Sequence, residues 1–98
     1  MFGNLFKKTD YKKLLNEGAV IIDVRGKGEF SSGAVPGSEN IPLPNLSAKI
    51  KQIKSLQVPV ICVCASGMRS GAAKTQLKAA GIEAYNGGPW TKMIPYVD

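Results

Sequence analysis

The run Val58-Pro59-Val60-Ile61-Cys62-Val63-Cys64-Ala65-Ser66-Gly67-Met68-Arg69-Ser70 sets a cysteine where an apolar stretch gives way to small residues, a glycine and an arginine. The apolar stretch reads as a buried strand and the pattern from Ser70 onward as a helix. Cys64 then stands at the carboxyl end of a strand, where open α/β sheets bind ligands. The amides of a tight loop and a helix amino terminus together make an anion cradle. Ala65, Ser66 and Gly67 are small enough for the backbone to curl around one centre, and Gly67 permits a positive φ. Arg69 adds a permanent positive charge. A free thiol titrates near 8.5, but beside cations at helix amino termini it falls to about 3.5–7.5. Each unit is worth about 1.36 kcal/mol in favour of the thiolate. The chemistry expected at Cys64 is therefore nucleophilic attack by a thiolate that needs no general base.

The rest of the composition narrows the field. Histidine is absent, which removes Ser-His and Cys-His catalysis, imidazole acid–base chemistry and most metal sites. Cys62 and Cys64 alone make no tetrahedral metal site, so no metal and no cofactor are expected. In an extended strand their alpha carbons lie about 6.6 Å apart, near the limit for a disulfide. Cys62 reads as a small core hydrophobe. Two reduced thiols suit a cytoplasmic setting, and the opening residues 1–8 lack the long apolar stretch of a secretory signal. No apolar run approaches the roughly 20 residues of a membrane helix. The net charge of +6 is spread over scattered lysines, a pattern of solubility that also attracts small anions. Without interleaved aromatics or a base-reading motif, nucleic-acid binding is not expected.

The elements that must position Cys64 follow from hydrophobic period and punctuation. Thr9 or Asp10 is placed to cap a short helix that carries Tyr11, Leu14 and Leu15 on one face, with Gly18 as its stop. Residues 19–24 read as a strand apolar on both faces, as in a parallel sheet covered by helices. Residues 26–33 form a turn or short helix, 35–37 a turn, and an extended piece follows around Asn40 and Ile41. Asn45 or Ser47 is placed to cap a second helix with Leu46, Ile50 and Ile53 inside and Lys49, Lys51 and Lys54 outside. After the strand at 58–63 and the loop at 64–69, a helix over 70–80 turns Ala73, Leu77 and Ala80 inward. A last strand is predicted at 82–85, broken by Gly87-Gly88-Pro89 before a terminal segment, 90–97, of about one helical turn. At 98 residues this is one domain, 1–98, of α/β class: a small, mainly parallel sheet with helices on both faces.

Taken together, these residues resemble a known family. The segment Cys64-Ala65-Ser66-Gly67-Met68-Arg69-Ser70 is similar to the active-site loop of rhodanese domains, with four residues between cysteine and arginine. The likeness extends to Asp23-Val24-Arg25, Glu29-Phe30, Gly33, Gly37, Asn40-Ile41-Pro42, Gly87-Gly88 and Trp90, covering about residues 9–94. It implies a double displacement: the Cys64 thiolate takes a sulfane sulfur from an anionic donor of the thiosulfate or polysulfide type. The persulfide rests on the amides of residues 65–69, then passes to cyanide, a thiol or a protein cysteine. Arg69 would hold the anionic donor or brace the loop. Asp23, Arg25 and Glu29 are expected to form an ion-pair network fixing the turn after their strand. Gly87 and Gly88 would allow close backbone approach, and Trp90 would serve as a packing anchor.

Many members carry a histidine where this chain has Ala34, so a loop hydrogen bond from that position is not available here. Phosphatases and arsenate reductases of the same fold place five residues between cysteine and arginine, which widens the cradle for a tetrahedral oxyanion. Non-catalytic members that act as protein-binding modules typically lose the cysteine. The four-residue spacing favours a single sulfur and the retained Cys64 favours catalysis, while aryl phosphate turnover would select the first alternative and no sulfur gain from any donor the second.

Overall fold

A computed structural model describes residues 8–97; residues 1–7, on which most of the signal-sequence expectation rests, lie outside it. Asp10 caps α1 (Tyr11–Asn16), its carboxylate accepting the Lys13 amide at 3.0 Å. Gly18, at φ +100°, then turns the chain into β1 (Val20–Asp23). The short α2 (Lys27–Ser31) leads to the two-residue β2 (Glu39–Asn40). A 3-10 turn at Leu43–Asn45 runs directly into α3 (Leu46–Ser55). There follow β3 (Val60–Cys64), α4 (Met68–Ala79), β4 (Ala84–Pro89) and a 3-10 segment at Trp90–Tyr96.

The strands form one sheet in the order β2-β1-β3-β4, with every pairing parallel. The connections β2→β3 and β3→β4 advance the same way across the sheet, whereas β1→β2 goes back. Right-handed crossovers therefore put α3 and α4 on one face and the β1→β2 connection on the other. The packing agrees. Leu46 and Ile53 of α3 and Ala73 and Leu77 of α4 bury one face with Ile22, Val60, Cys62 and Cys64. Tyr11, Leu14 and Leu15 of α1 cover the other, with Val35, Trp90 and Met93 against Ile21, Ile61 and Val63. Because β3 is central and covered on both sides, all five of its residues are buried. Between β1 and β3 the chain direction switches, and in such sheets the crevice above the carboxyl ends at that switch is where ligands bind. No helix among the described residues is long and apolar enough to cross a membrane.

Local boundaries depart from the sequence reading in instructive places. The fourth helix begins at Met68 rather than Ser70, since Gly67 takes a left-handed φ of +102° and turns the chain into the helix at once. β4 runs from 84 to 89, straight through the glycine pair expected to break it. A Cβ on Gly87 would stand 2.9 Å from both Ile61 Cγ2 and Met93 Cε, so glycine here lets the strand lie close to its neighbours. The register shifts opposite Cys62 and Val63, and Gly88 at φ +77° absorbs the irregularity. Asn45 precedes α3 but makes no side-chain cap, because the 3-10 turn already continues into the helix. The terminal segment spans seven residues of 3-10 helix, longer than one turn.

Candidate active site

β3 delivers Cys64 to the carboxyl edge of the sheet, and residues 65–67 curl back over it before α4 starts. The Cys64 side chain is fully buried at the edge of the apolar cluster, and its sulfur also meets polar donors. The Gly67 amide donates to Sγ at 3.0 Å and the Ser70 amide at 3.3 Å, while the Ser70 hydroxyl lies 3.2 Å away. Burial alone pushes the thiol pKa up. The Ser70 hydroxyl and the amides of Ser70, Gly67 and Ser66 outweigh it and hold the pKa below the ordinary value. On the same strand, Cys62 has no such donors: burial, then the neighbouring Cys64, push it up to about 12. Two cysteines two residues apart thus differ in ionisation because only one lies under the loop. Both are free thiols.

A residue that the local pattern did not single out organises the loop from behind. Asn86 of β4 accepts the Ser70 hydroxyl at 2.7 Å and the Gly88 amide at 2.9 Å on Oδ1, and its Nδ2 donates to the Gly67 carbonyl at 3.0 Å. Its own carbonyl accepts the Tyr11 hydroxyl at 3.0 Å. A half-buried asparagine inside a strand is the one signal that could have flagged it, since buried amides need partners.

The other expected residues gather nearby in two separate ion pairs rather than one network. The Arg25 guanidinium meets the Asp23 carboxylate at 2.7 Å, with both groups buried. It also donates to the Gly33 carbonyl at 2.7 Å and the Glu29 carbonyl at 3.3 Å, and lies 4.8 Å from the centroid of the Trp90 ring. Arg25 thereby ties the turn after β1 to α2 and to the terminal segment through Trp90. The Glu29 carboxylate, however, does not reach Arg25. It takes Arg69 in a bidentate pair at 2.7 and 2.9 Å and accepts the Gly26 amide at 3.0 Å. Arg69 first, and the Gly26 amide second, hold the Glu29 carboxyl down to about 2. The Arg69 pKa is raised in turn, chiefly by Glu29. The Glu29–Arg69 pair joins α2 to the first turn of α4, the elements that follow β1 and β3, across the switch point. Ala65, Ser66 and Met68 stand exposed around the loop, Met68 at 82 %. Gly67 packs toward Gly88: a Cβ on it would stand 3.5 Å from the Gly88 alpha carbon. Gly87 and Gly88 lie along the same edge of the site.

Comparison with known proteins agrees with this geometry. The family model for the rhodanese-like domain matches residues 7–89. An uncharacterised protein, YqhL, of Bacillus subtilis is 41% identical over 69 residues, covering 69% of this chain and 54% of that protein. The thiosulfate sulfurtransferase GlpE of Pseudoalteromonas translucida is 36% identical over 67 residues, 68% of this chain and 63% of the relative. The chain thus matches somewhat over half the length of these relatives. A solved rhodanese with anions from E. coli superposes with a TM-score of 0.71 at 28% identity, over 76% of this chain and 91% of that one. The parallel four-stranded sheet, the cysteine beneath its glycine-bearing loop and these likenesses lead to one assignment: the chain belongs to the rhodanese-like domain family.

Proposed function

We propose that this chain is a sulfurtransferase that carries a sulfane sulfur as a persulfide on Cys64. The observation that carries the reading is the convergence of two amides and a hydroxyl on a thiol held below its ordinary pKa. A thiolate so placed attacks the outer sulfur of thiosulfate. The sulfur–sulfur bond breaks, its electron pair leaves with sulfite, and the outer sulfur stays on Cys64. The amides of Ser66, Gly67 and Ser70, which already act on Cys64 Sγ, would stabilise the added negative sulfur. A thiol, cyanide or a cysteine of a protein partner then removes it and restores the thiolate. Because Cys64 has no exposed surface, the loop must part for a donor to enter. In this reading Arg69 braces the loop through Glu29, and two free thiols suit a reducing, cytoplasmic setting.

The likeness to a protein named as a thiosulfate sulfurtransferase supports the choice of donor class. The four-residue spacing between Cys64 and Arg69 suits a single sulfur better than a tetrahedral phosphate. Intact mass after thiosulfate treatment tests the reading. A gain of about 32 Da, the mass of one sulfur, is expected on the wild type and on Cys62→Ser. It should be absent from Cys64→Ser and reversed by cyanide. Aryl phosphate turnover without any adduct would replace this reading with phosphatase chemistry.

A further inference from the structure

Beside the loop lies a groove of about 580 Å³. That is far more room than thiosulfate fills, and within the roughly 300–1,000 Å³ of sites that take small organic ligands. Ser66 and Gly67 bring the nucleophile's own loop to its wall, Pro89 the end of β4, Lys92 and Tyr96 the terminal 3-10 segment, and Tyr11 the start of α1. The rings of Tyr11 and Tyr96 lie 5.8 Å apart at a tilt of 55°. Lys92 is the only charged side chain on the lining, and among the described residues no carboxylate forms an ion pair with it. Arg69, the cation of the loop itself, is neutralised by the bidentate Glu29 pair. Among the described residues, the positive charge next to the loop that has no carboxylate partner therefore belongs to the groove.

We propose that this groove binds the organic half of a small carboxylate-bearing thiol, of peptide size, and of its persulfide. The ligand carboxylate pairs with Lys92, its stem lies on Tyr11, Tyr96 and Pro89, and its sulfur end meets the loop at Ser66 and Gly67. The inference rests on the sulfurtransferase reading and names its organic substrate. With a persulfide R–S–S–H as donor, Cys64 Sγ bonds to the outer sulfur as the S–S bond breaks. The electron pair leaves with R–S⁻, and the proton stays with the transferred sulfur or passes to solvent. The reverse step hands sulfur to the thiol, so donor and acceptor of this class share one groove and no oxidant or reductant is needed.

S-methylglutathione, which cannot react, tests binding apart from chemistry. Titrated into the wild-type protein, it should shift the amide resonances of Gly88, Lys92 and Tyr96. Lys92→Gln should weaken its binding about threefold or more, the scale of one exposed ion pair, and Lys92→Arg should restore it to within about twofold. The ratio of kcat/KM for glutathione persulfide to that for thiosulfate should fall by a similar factor in Lys92→Gln. An unchanged ratio, or no shift at those amides while Cys64 still gains sulfur, overturns the groove assignment. Binding at Lys92 with no Cys64 persulfide from either donor instead sinks the sulfurtransferase reading and leaves the ligand class standing.

Discussion

Ser70 has a single hydroxyl proton and two acceptors for it, Asn86 Oδ1 and Cys64 Sγ. While Cys64 is a thiol, its S–H points at the Ser70 oxygen and the hydroxyl serves Asn86. Once Cys64 ionises, the hydroxyl turns to the sulfur, and Asn86 keeps the Gly88 amide. A charge-assisted hydrogen bond of this kind is roughly twice as strong as a neutral one. Ser70→Ala should therefore move the thiolate's ultraviolet titration to higher pH. The sign follows from which state the bond favours: it holds the ionised form, so its loss raises the thiol pKa. Below both midpoints, persulfide formation should slow roughly tenfold for each 1.36 kcal/mol of bonding lost. A titration unmoved by the substitution would assign the lowered pKa to the amides alone. At this scale the sequence was legible where neighbours in the chain are neighbours in space. Cys64, Gly67 and Ser70 lie within seven consecutive residues, and their pattern exposes the cradle. Asn86 and Lys92 act from another strand and from the terminal segment, and nothing local distinguishes Lys92 from the other lysines. The pairing of Glu29 with Arg69, 40 residues apart, was hidden for the same reason.

Among the elements, β3 and the helices were readable because a covered parallel strand is apolar throughout and amphipathic helices repeat their apolar face. β4 was legible only at its start, Ala84 and Tyr85, because the rest of its sequence is dominated by the demands of its neighbours. Glycine is a poor strand former on propensity alone, yet the Gly87 site tolerates no side chain between Ile61, Met93 and Val63. Gly87→Ala should thus overpack the core by about 1–3 kcal/mol, read as a lower urea midpoint at unchanged slope. Gly88→Ala meets open space and carries only the left-handed backbone cost, roughly 1–2 kcal/mol. The two substitutions also differ in where they strain the site. An alanine at 87 presses on β3 at Ile61 and Val63, on the sheet face away from the thiol, whereas one at 88 stiffens the edge toward which Gly67 packs. Sulfur transfer per folded molecule should then fall more in Gly88→Ala, if parting of the loop limits donor entry. Equal losses would place the limit elsewhere.

Across the whole molecule, one buried ion pair joins segments that are far apart in the chain. Asp23 ends β1, and Arg25 grips it while donating to the carbonyls of Glu29 and Gly33 and lying against Trp90. Asn40 of β2 donates from the side to the carbonyls of Asp23 and Arg25 at 3.0 and 2.9 Å. The sheet edge, α2, the loop beyond it and the terminal segment thus meet at a single guanidinium. The residues of this node are legible in the sequence, but Glu29 joins it through its backbone carbonyl and not through the carboxylate expected to pair there. Removing one partner of a buried pair costs about 3–5 kcal/mol, since the other charge is left desolvated. Native proteins have only about 5–15 kcal/mol in total. Arg25→Met should accordingly lower Tm by roughly 12 °C or more, at about 4–8 °C per kcal/mol for a chain of this size. Asp23→Asn alone should also destabilise, and the double variant Asp23→Asn/Arg25→Met should lose clearly less than the two single losses added, because no buried charge then remains. Strict additivity would show that the two side chains do not act as a pair. In that case the hydrogen bonds of Arg25 to the carbonyls of Glu29 and Gly33, rather than the charge of Asp23, would be what joins these segments.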